Sequence, residues 1–318
     1  MRVLPAAAAM VVLAAAAAGD EGRMVMPAAL AARVTVGAAA GRVVEVEPDG
    51  SLALVTVSQT VQPLPGDPHY PLTNVRVCDD PTALDVASHL ELPPELAELR
   101  AHEHGVFAVV TGVVSFVGRA VAQDDDDRGP QDAASVLARG RGRCSGRANL
   151  AVALLRVLGV PARVVHGVLA TDRGPRWHRW GEAWLGPSHW VAFDPGASVG
   201  VVSVRYLEVA GAEEGTSLSD LVVRDIEEPR FAGLPRRGGL RVLPVGGASL
   251  RCMTDSATTA ITAVLVAADG TRWARQGRGE VVFTRMLPGA YTLAWRTGNE
   301  TNGVVRLDLW GAREVRVN

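Results

Sequence analysis

The stretch from Ser145 to Pro195 constrains the fold most, because it joins one apolar helix pattern to three strand patterns with marked breaks between them. Ala148, Ala151, Val152, Leu155 and Leu158 recur at helical spacing, and Leu154 and Val157 widen the stripe, as in a buried helix. Gly159 and Pro161 stop it. The runs ARVVHGVLA, HRWGEAWL and HWVAFDP follow as candidate strands with Gly-Pro turns between them. A cysteine-bearing helix packed on an antiparallel sheet, an α+β arrangement, hides the apolar faces of both.

Upstream, ELAELRAHEHGVFAVVTGVVSFVGRAV is long enough for one or two helices, and Pro130 opens a short helix that Gly140 ends. Between them lie Asp124, Asp125, Asp126 and Asp127. Contiguous aspartates point in divergent directions and do not wrap one ion, so the run reads as a solvated loop and not a calcium site. His102 and His104, two apart on a helix, face away from each other and do not form a metal pair. No metal or cofactor is expected.

The segment GRVVEVEPDGSLALVTVSQTV alternates apolar and polar residues around Pro48-Asp49-Gly50, which predicts a β-hairpin in a β-rich segment over 20–85. Residues 211–246 lose periodicity and read as a linker. From 247 to 318, short alternating runs with turn residues between them predict an antiparallel β-sandwich. At 318 residues the chain has room for two or three domains. The 32 basic residues are all arginine, and the net charge of -2 argues against a general nucleic-acid binder.

The opening MRVLPAAAAMVVLAAAAAGDEG has an arginine, an apolar run and then small and acidic residues, the layout of a secretory signal peptide over 1–19. A secreted or periplasmic location follows as an expectation, with no integral membrane span after its removal. The odd count of Cys78, Cys144 and Cys252 leaves at least one thiol unpaired. A Cys78–Cys252 bridge would leave Cys144 free, and unpaired buried thiols are equally open.

Cys144 directly precedes the helix pattern, where the macrodipole favours the thiolate, with Arg141, Arg143 and Arg147 nearby. An acyl-transfer nucleophile also needs a base and a group that orients the base. Of His166, His178 and His189, His178 stands out because Trp180, Glu182 and Trp184 follow it on one face of its strand. Glu182 lies ~13 Å along that strand from His178, beyond hydrogen-bond reach. Folding back around Gly186-Pro187-Ser188 sets Asp194 opposite His178 to within two positions, where a carboxylate can hold the imidazole. Glu182, among tryptophans, calls for a cation such as Arg163. His166 and His189 read as satisfied side chains.

The blocks GRC-SGRANLAVALLRVLGVPAR, H-x-W-x-E-x-W and WVAFDP, in this order, resemble the transglutaminase-like cysteine enzymes, over roughly Leu92 to Tyr206. That superfamily includes transglutaminases, peptide N-glycanases and many bacterial proteases. The resemblance implies a papain/transglutaminase-like core within a catalytic domain over 86–210. It also implies that Cys144 is the nucleophile, His178 the base and Asp194 the orienting group. Ser145-Gly146-Arg147 departs from the family's habit of an aromatic or acidic residue after the cysteine, which puts the substrate-side contacts in question. The run GEVVFTRMLPGAYTLAW is similar to carboxypeptidase-regulatory-like β-sandwiches, covering about Gly247 to Asn318. The expected function is cleavage or transamidation of peptide or isopeptide bonds in a protein or peptide substrate. A non-catalytic binding or scaffold protein of the same fold is the alternative, and the oligomeric state is not legible.

Overall fold

The computed structural model describes residues 19–317 apart from 40, 65–66, 69, 73–74, 76–77, 86–89, 102–104, 187–189, 212–215, 246–247, 268–271, 287–288, 299–300 and 310–311. The expected signal segment thus lies almost wholly outside the described residues, as do His102, His104, His189 and part of the turn before it. Helices and strands are mixed as far as Ala232, the described elements beyond it are all strands, and among the described residues no helix is long and apolar enough to cross a membrane.

The stretch that constrains the fold forms a helix at Cys144–Val157 and strands at Ala162–Thr171, Gly174–Trp184 and Trp190–Asp194. These strands are the centre of a seven-stranded sheet that runs Tyr206–Glu208, Ala162–Thr171, Gly174–Trp184, Trp190–Asp194, Ser198–Gly200, Leu240–Val242, Arg236–Arg237. All its pairings are antiparallel except the one between Ser198–Gly200 and Leu240–Val242. The upstream helical pattern divides into Pro94–Ala101 and Val106–Ala120, and the short helix is Ala133–Arg139 with Asp132 as its N-cap and left-handed Gly140 as its C-cap.

One apolar core ties these layers together. Val113, Val117, Leu150, Leu154 and Leu155 of the helices bury themselves against Ala183, Val191, Phe193 and Val199 of the sheet. Burying such side chains contributes roughly 1.5–3 kcal/mol each before the cost of ordering them. Phe193 is directly paired with Gly181 on the neighbouring strand, and a Cβ at that glycine would lie 2.2 Å from the Phe193 ring. The glycine leaves room for the ring.

The expected hairpin forms from Arg42–Asp49 and Leu52–Gln59, with Asp49 opposite Leu52. It belongs to a five-stranded antiparallel sheet in which Asp20–Pro27 pairs with Leu52–Gln59 on one side and with Val222–Glu227 on the other. Residues 211–246 therefore differ from the linker expected of them. They supply Val222–Glu227 to this sheet, two short strands to the central sheet, and the helix Pro229–Ala232. Asp20 explains part of that placement, since its buried carboxylate accepts from the backbone N–H groups of Arg230 and Phe231, both at 2.7 Å. The irregular composition misled because these elements are short and their partners lie far away in sequence.

The last part of the chain holds a three-stranded sheet (Ala248–Met253, Glu280–Met286, Ala312–Arg316) and a four-stranded sheet (Ala260–Ala267, Arg272–Arg278, Gly289–Thr297, Thr301–Leu309). Leu250, Ile261, Leu265, Phe283, Leu293 and Leu309 from both sheets share one buried cluster. Cys252 is buried in it, Cys78 is half-buried elsewhere, and all three cysteines are free thiols, so the Cys78–Cys252 bridge does not form.

Gly181→Ala is expected to lower stability by about 1–3 kcal/mol through overpacking against Phe193. Urea unfolding reads this directly, and an unchanged midpoint would show that the ring moves aside at no cost.

Candidate active site

Cys144 is the first residue of its helix, preceded by extended Arg143. No side chain caps this terminus in the ordinary way. Instead, Gln131 accepts from the Arg143 N–H through Oε1 at 2.9 Å, and its backbone carbonyl accepts from Asn149 Nδ2 at 2.8 Å. Arg141–Gly142 also pairs in parallel with Ala122–Gln123, so the approach to the helix is held from two sides. Gly146 permits the close approach of Gln131, because a Cβ there would lie 2.5 Å from Oε1.

His178 stands in the strand that packs against this helix. Its Nε2 lies 2.6 Å from Asp194 Oδ2, with both residues buried. The strands are registered Glu182 to Ala192 and Trp184 to Trp190, which puts Asp194 diagonal to His178, two positions from directly opposite. Nδ1, the other ring nitrogen, is buried. It makes no geometrically complete hydrogen bond, yet thiol and imidazole interact closely enough to shift each other's ionisation.

Asp194 is braced further. Tyr206 donates its hydroxyl to Oδ2 at 2.8 Å, and the Gly196 N–H donates to Oδ1 at 2.8 Å. The Tyr206 ring meets His178 edge to face at 5.5 Å and Trp180 at 5.4 Å. Behind the loop, Arg147 donates through Nη2 to the Pro195 carbonyl at 3.0 Å and through Nη1 to Gln123 Oε1 at 3.0 Å.

These contacts decide the charges. Burial pushes the Cys144 thiol up, but the hydrogen bond and charge of His178 and the Arg179 backbone N–H outweigh it, so its pKa falls below the ordinary 9.0 despite the Asp194 charge. Burial alone would lower His178, whereas its bonds to Asp194 and Cys144 and their charges raise it to about 9. Burial also raises Asp194, yet His178, Gly196 and Tyr206 hold its carboxyl below the usual range. Tyr206 is pushed well above 10, first by burial and then by the neighbouring carboxylate, so it remains a donor. The two shifts run in the direction that favours a thiolate beside an imidazolium.

A cleft of about 340 Å³ opens on Cys144 and His178, lined also by Asp125, Arg143, Ser145, His166, Trp177 and Arg179 among others. Ser145 lines it, but Gly146 and Arg147 are buried facing inward, so the departure from the family pattern reaches the cleft only through Ser145. His166, read from sequence as a satisfied side chain, stands in the cleft wall. Glu182 pairs with Arg163 at 2.8 Å, and Arg163 stacks on Trp190 at 4.3 Å. Three of the four aspartate carboxylates serve different partners: Asp124 accepts from the Asp126 N–H, Asp125 pairs with Arg176, and Asp127 accepts from Gly129, Gln131 and Arg139. Among the described residues no cluster of three or more His, Cys, Asp or Glu side chains could hold a metal ion.

Sequence reading missed Tyr206 and the inward role of Arg147. Tyr206 belongs to an edge strand on the far side of Ala162–Thr171 from His178, and no local spacing announces a partner two strands away.

Residues 98–195 match the model of the family described as the transglutaminase-like superfamily, so the chain carries a transglutaminase-like domain there. No curated protein matches the chain. Among solved structures, a cysteine-protease candidate from Cytophaga hutchinsonii is 14% identical, covers 91% of this chain and 93% of its own, and has a TM-score of 0.36. A structure described only as a TGase is 14% identical, with 59% of this chain and 49% of that one covered and a TM-score of 0.26. The red sea bream transglutaminase is 9% identical, with 92% and 78% covered and a TM-score of 0.27.

Two predictions follow from the bracing and the charges. Tyr206→Phe keeps the ring but removes one hydrogen bond to a buried carboxylate, so stability should fall by about 1.5–3 kcal/mol in urea unfolding. A loss near zero would mean that the hydroxyl contributes nothing to Asp194. Because the folded pKa of His178 is raised, its stabilisation is complete below about 6.5 and is lost as pH rises through about 9. The stability gap between wild type and His178→Ala should therefore narrow across that window, and a gap that widens would reverse the assignment.

Proposed function

We propose that the protein is an exported cysteine enzyme that transfers acyl groups from peptide or isopeptide amides, with Cys144 as nucleophile, His178 as acid and base, and Asp194 as the orienting group. One observation carries this reading: a thiol at a helix start interacts with one side of a buried imidazole whose Nε2 lies 2.6 Å from a carboxylate. In the resting pair the thiolate attacks the amide carbonyl. The helix-start backbone N–H groups, including that of Cys144, stabilise the oxyanion. The His178 imidazolium then protonates the leaving amine, and a thioester remains on Cys144. Neutral His178 next takes a proton from water, whose oxygen attacks the thioester, releasing a carboxylic acid and restoring the pair. A primary amine in place of water gives transamidation, and hydrolysis is the outcome we favour.

Export rests on the leader-like segment over 1–19. We read residues 247–318 as a carboxypeptidase-regulatory-like β-sandwich accompanying the catalytic domain, supported by two sheets that share one core.

Iodoacetamide at neutral pH should alkylate Cys144 faster than a free model thiol, and Cys144→Ala should abolish amide cleavage of a casein substrate. His178→Ala should slow cleavage by about 10²–10⁴-fold. Labelling no faster than the model thiol, together with cleavage that persists in Cys144→Ala, would leave a binding or scaffold protein as the surviving reading. Product analysis with added hydroxylamine separates the acid from the hydroxamate.

A further inference from the structure

Tyr206–Glu208 is the outermost strand on one side of the central sheet. Along an antiparallel strand, the residues that bond to the neighbour alternate. Here Arg205 accepts from the Ala170 N–H at 2.9 Å and Val209 donates to the His166 carbonyl at 3.1 Å, so the main chain of Tyr206 points to the open edge. Its N–H donates to the Ser203 carbonyl at 3.1 Å. Its carbonyl accepts from Nη2 of Arg42, a residue of the five-stranded sheet 164 positions away. Arg42 Nη1 donates to the Ser203 carbonyl at 3.1 Å and to Gln59 Oε1 at 2.9 Å, and Gln59 is the directly paired residue on the neighbouring strand of that sheet. One guanidinium thus bridges both ends of the turn that leads into the Tyr206 strand, and is itself held from behind. Burial pulls its pKa down to about 10, with Glu182 and Glu208 opposing the fall, so it stays cationic at neutral pH.

Tyr206 also carries the hydroxyl that donates to Asp194 Oδ2 at 2.8 Å and the ring that meets His178 edge to face at 5.5 Å. Resting on the acyl-transfer reading of the same site, we infer that Arg42 is a positioning residue for it: from the five-stranded sheet, Arg42 fixes the strand whose Tyr206 holds Asp194 against His178. The sheet that includes residues 20–27, 42–59 and 222–227 is then a working part of the active site and not an attached module. The hydrogen bonds of Arg42 reach neither the thiol nor the imidazole, and its effect passes through the Tyr206 hydroxyl. Such support matters because a misplacement of about 1 Å, caused far from the chemistry, lowers rates by about 10²-fold. Glu228 holds the turn from another side, through Ser203 Oγ and, at 3.0 Å, Arg205 Nε, so loss of Arg42 loosens the strand without releasing it.

The pH dependence of Cys144 alkylation by iodoacetamide reports how far His178 stabilises the thiolate. It is read on the Cys144 peptide by mass spectrometry, because Cys78 and Cys252 are also free thiols. In Arg42→Gln the midpoint should move up by about one pH unit, toward the ordinary thiol range, which lowers the rate below the midpoint about tenfold. Tyr206→Phe should move it in the same direction, and Arg42→Gln should add little in that background, since both act through one hydroxyl. Met24→Ala opens the core of the same sheet, so it should lower the urea midpoint and leave the pH midpoint in place. Three results overturn the inference: an unshifted or downward-shifted midpoint in Arg42→Gln, an equal shift with and without the Tyr206 hydroxyl, or the same shift in Met24→Ala. If Arg42→Gln does not fold, the cycle is run with Arg42→Lys, which keeps the charge and loses the planar fork, and the same outcomes are expected. A wild-type thiol no more reactive than a model thiol counts against the acyl-transfer reading, whereas the coupling between Arg42 and Tyr206 is read separately, from the shift in midpoint.

Discussion

The buried bond between His178 and Asp194 is the constraint around which the surrounding contacts are arranged. An ionised carboxylate inside a protein costs several kcal/mol in lost hydration, and only a full set of hydrogen bonds and an opposite charge offsets that. Asp194 has the set: the imidazole and the Tyr206 hydroxyl on one oxygen, the Gly196 N–H on the other. Each donor comes from a different segment of chain. The charge balance of the cleft floor thus depends on three pieces of backbone staying in register.

Those pieces are held by a further set of contacts. Arg147 fixes the Pro195 carbonyl, and so the loop that carries the Gly196 N–H. Arg42, from the first sheet, donates to the carbonyls of Ser203 and Tyr206 and to Gln59, tying the edge strand of Tyr206 to the hairpin of residues 42–59. Gln131 sets the helix start from beneath, and Asp127 in turn holds Gln131 and Arg139. The aspartate run that looked like a solvated loop from its composition is in part a bracket for the cysteine helix.

What was legible in the sequence follows from distance along the chain. The helix of residues 144–157 and its three following strands were readable because 3.6- and 2-residue periods are local signals. The proximity of His178 and Asp194 was countable because a tight hairpin fixes register to within a residue or two. Tyr206 was not, since it reaches Asp194 from an edge strand whose place in the sheet no period encodes. Residues 222–227 failed for the same reason: a six-residue strand with a mixed pattern is indistinguishable from linker until its distant partner is known. The departure of Ser145-Gly146-Arg147 from the family pattern puts the substrate-side contacts in question, but successive helical residues turn about the axis, and Gly146 and Arg147 are buried.

The strand Val222–Glu227, paired with Asp20–Pro27, also has a consequence for how the chain is made. Asp20–Pro27 can join the 42–59 hairpin early, but its other edge waits for a segment about 200 residues later, roughly 10–40 s at ordinary synthesis rates. During that interval the sheet presents an open row of backbone donors and acceptors, the kind of edge that recruits strands from other chains. Alternating burial along Asp20–Pro27, with Met24 and Met26 fully covered in the finished fold, makes the incomplete sheet apolar as well as open. The sensitive period in the life of this protein is therefore the delay before its first strand finds its last neighbour.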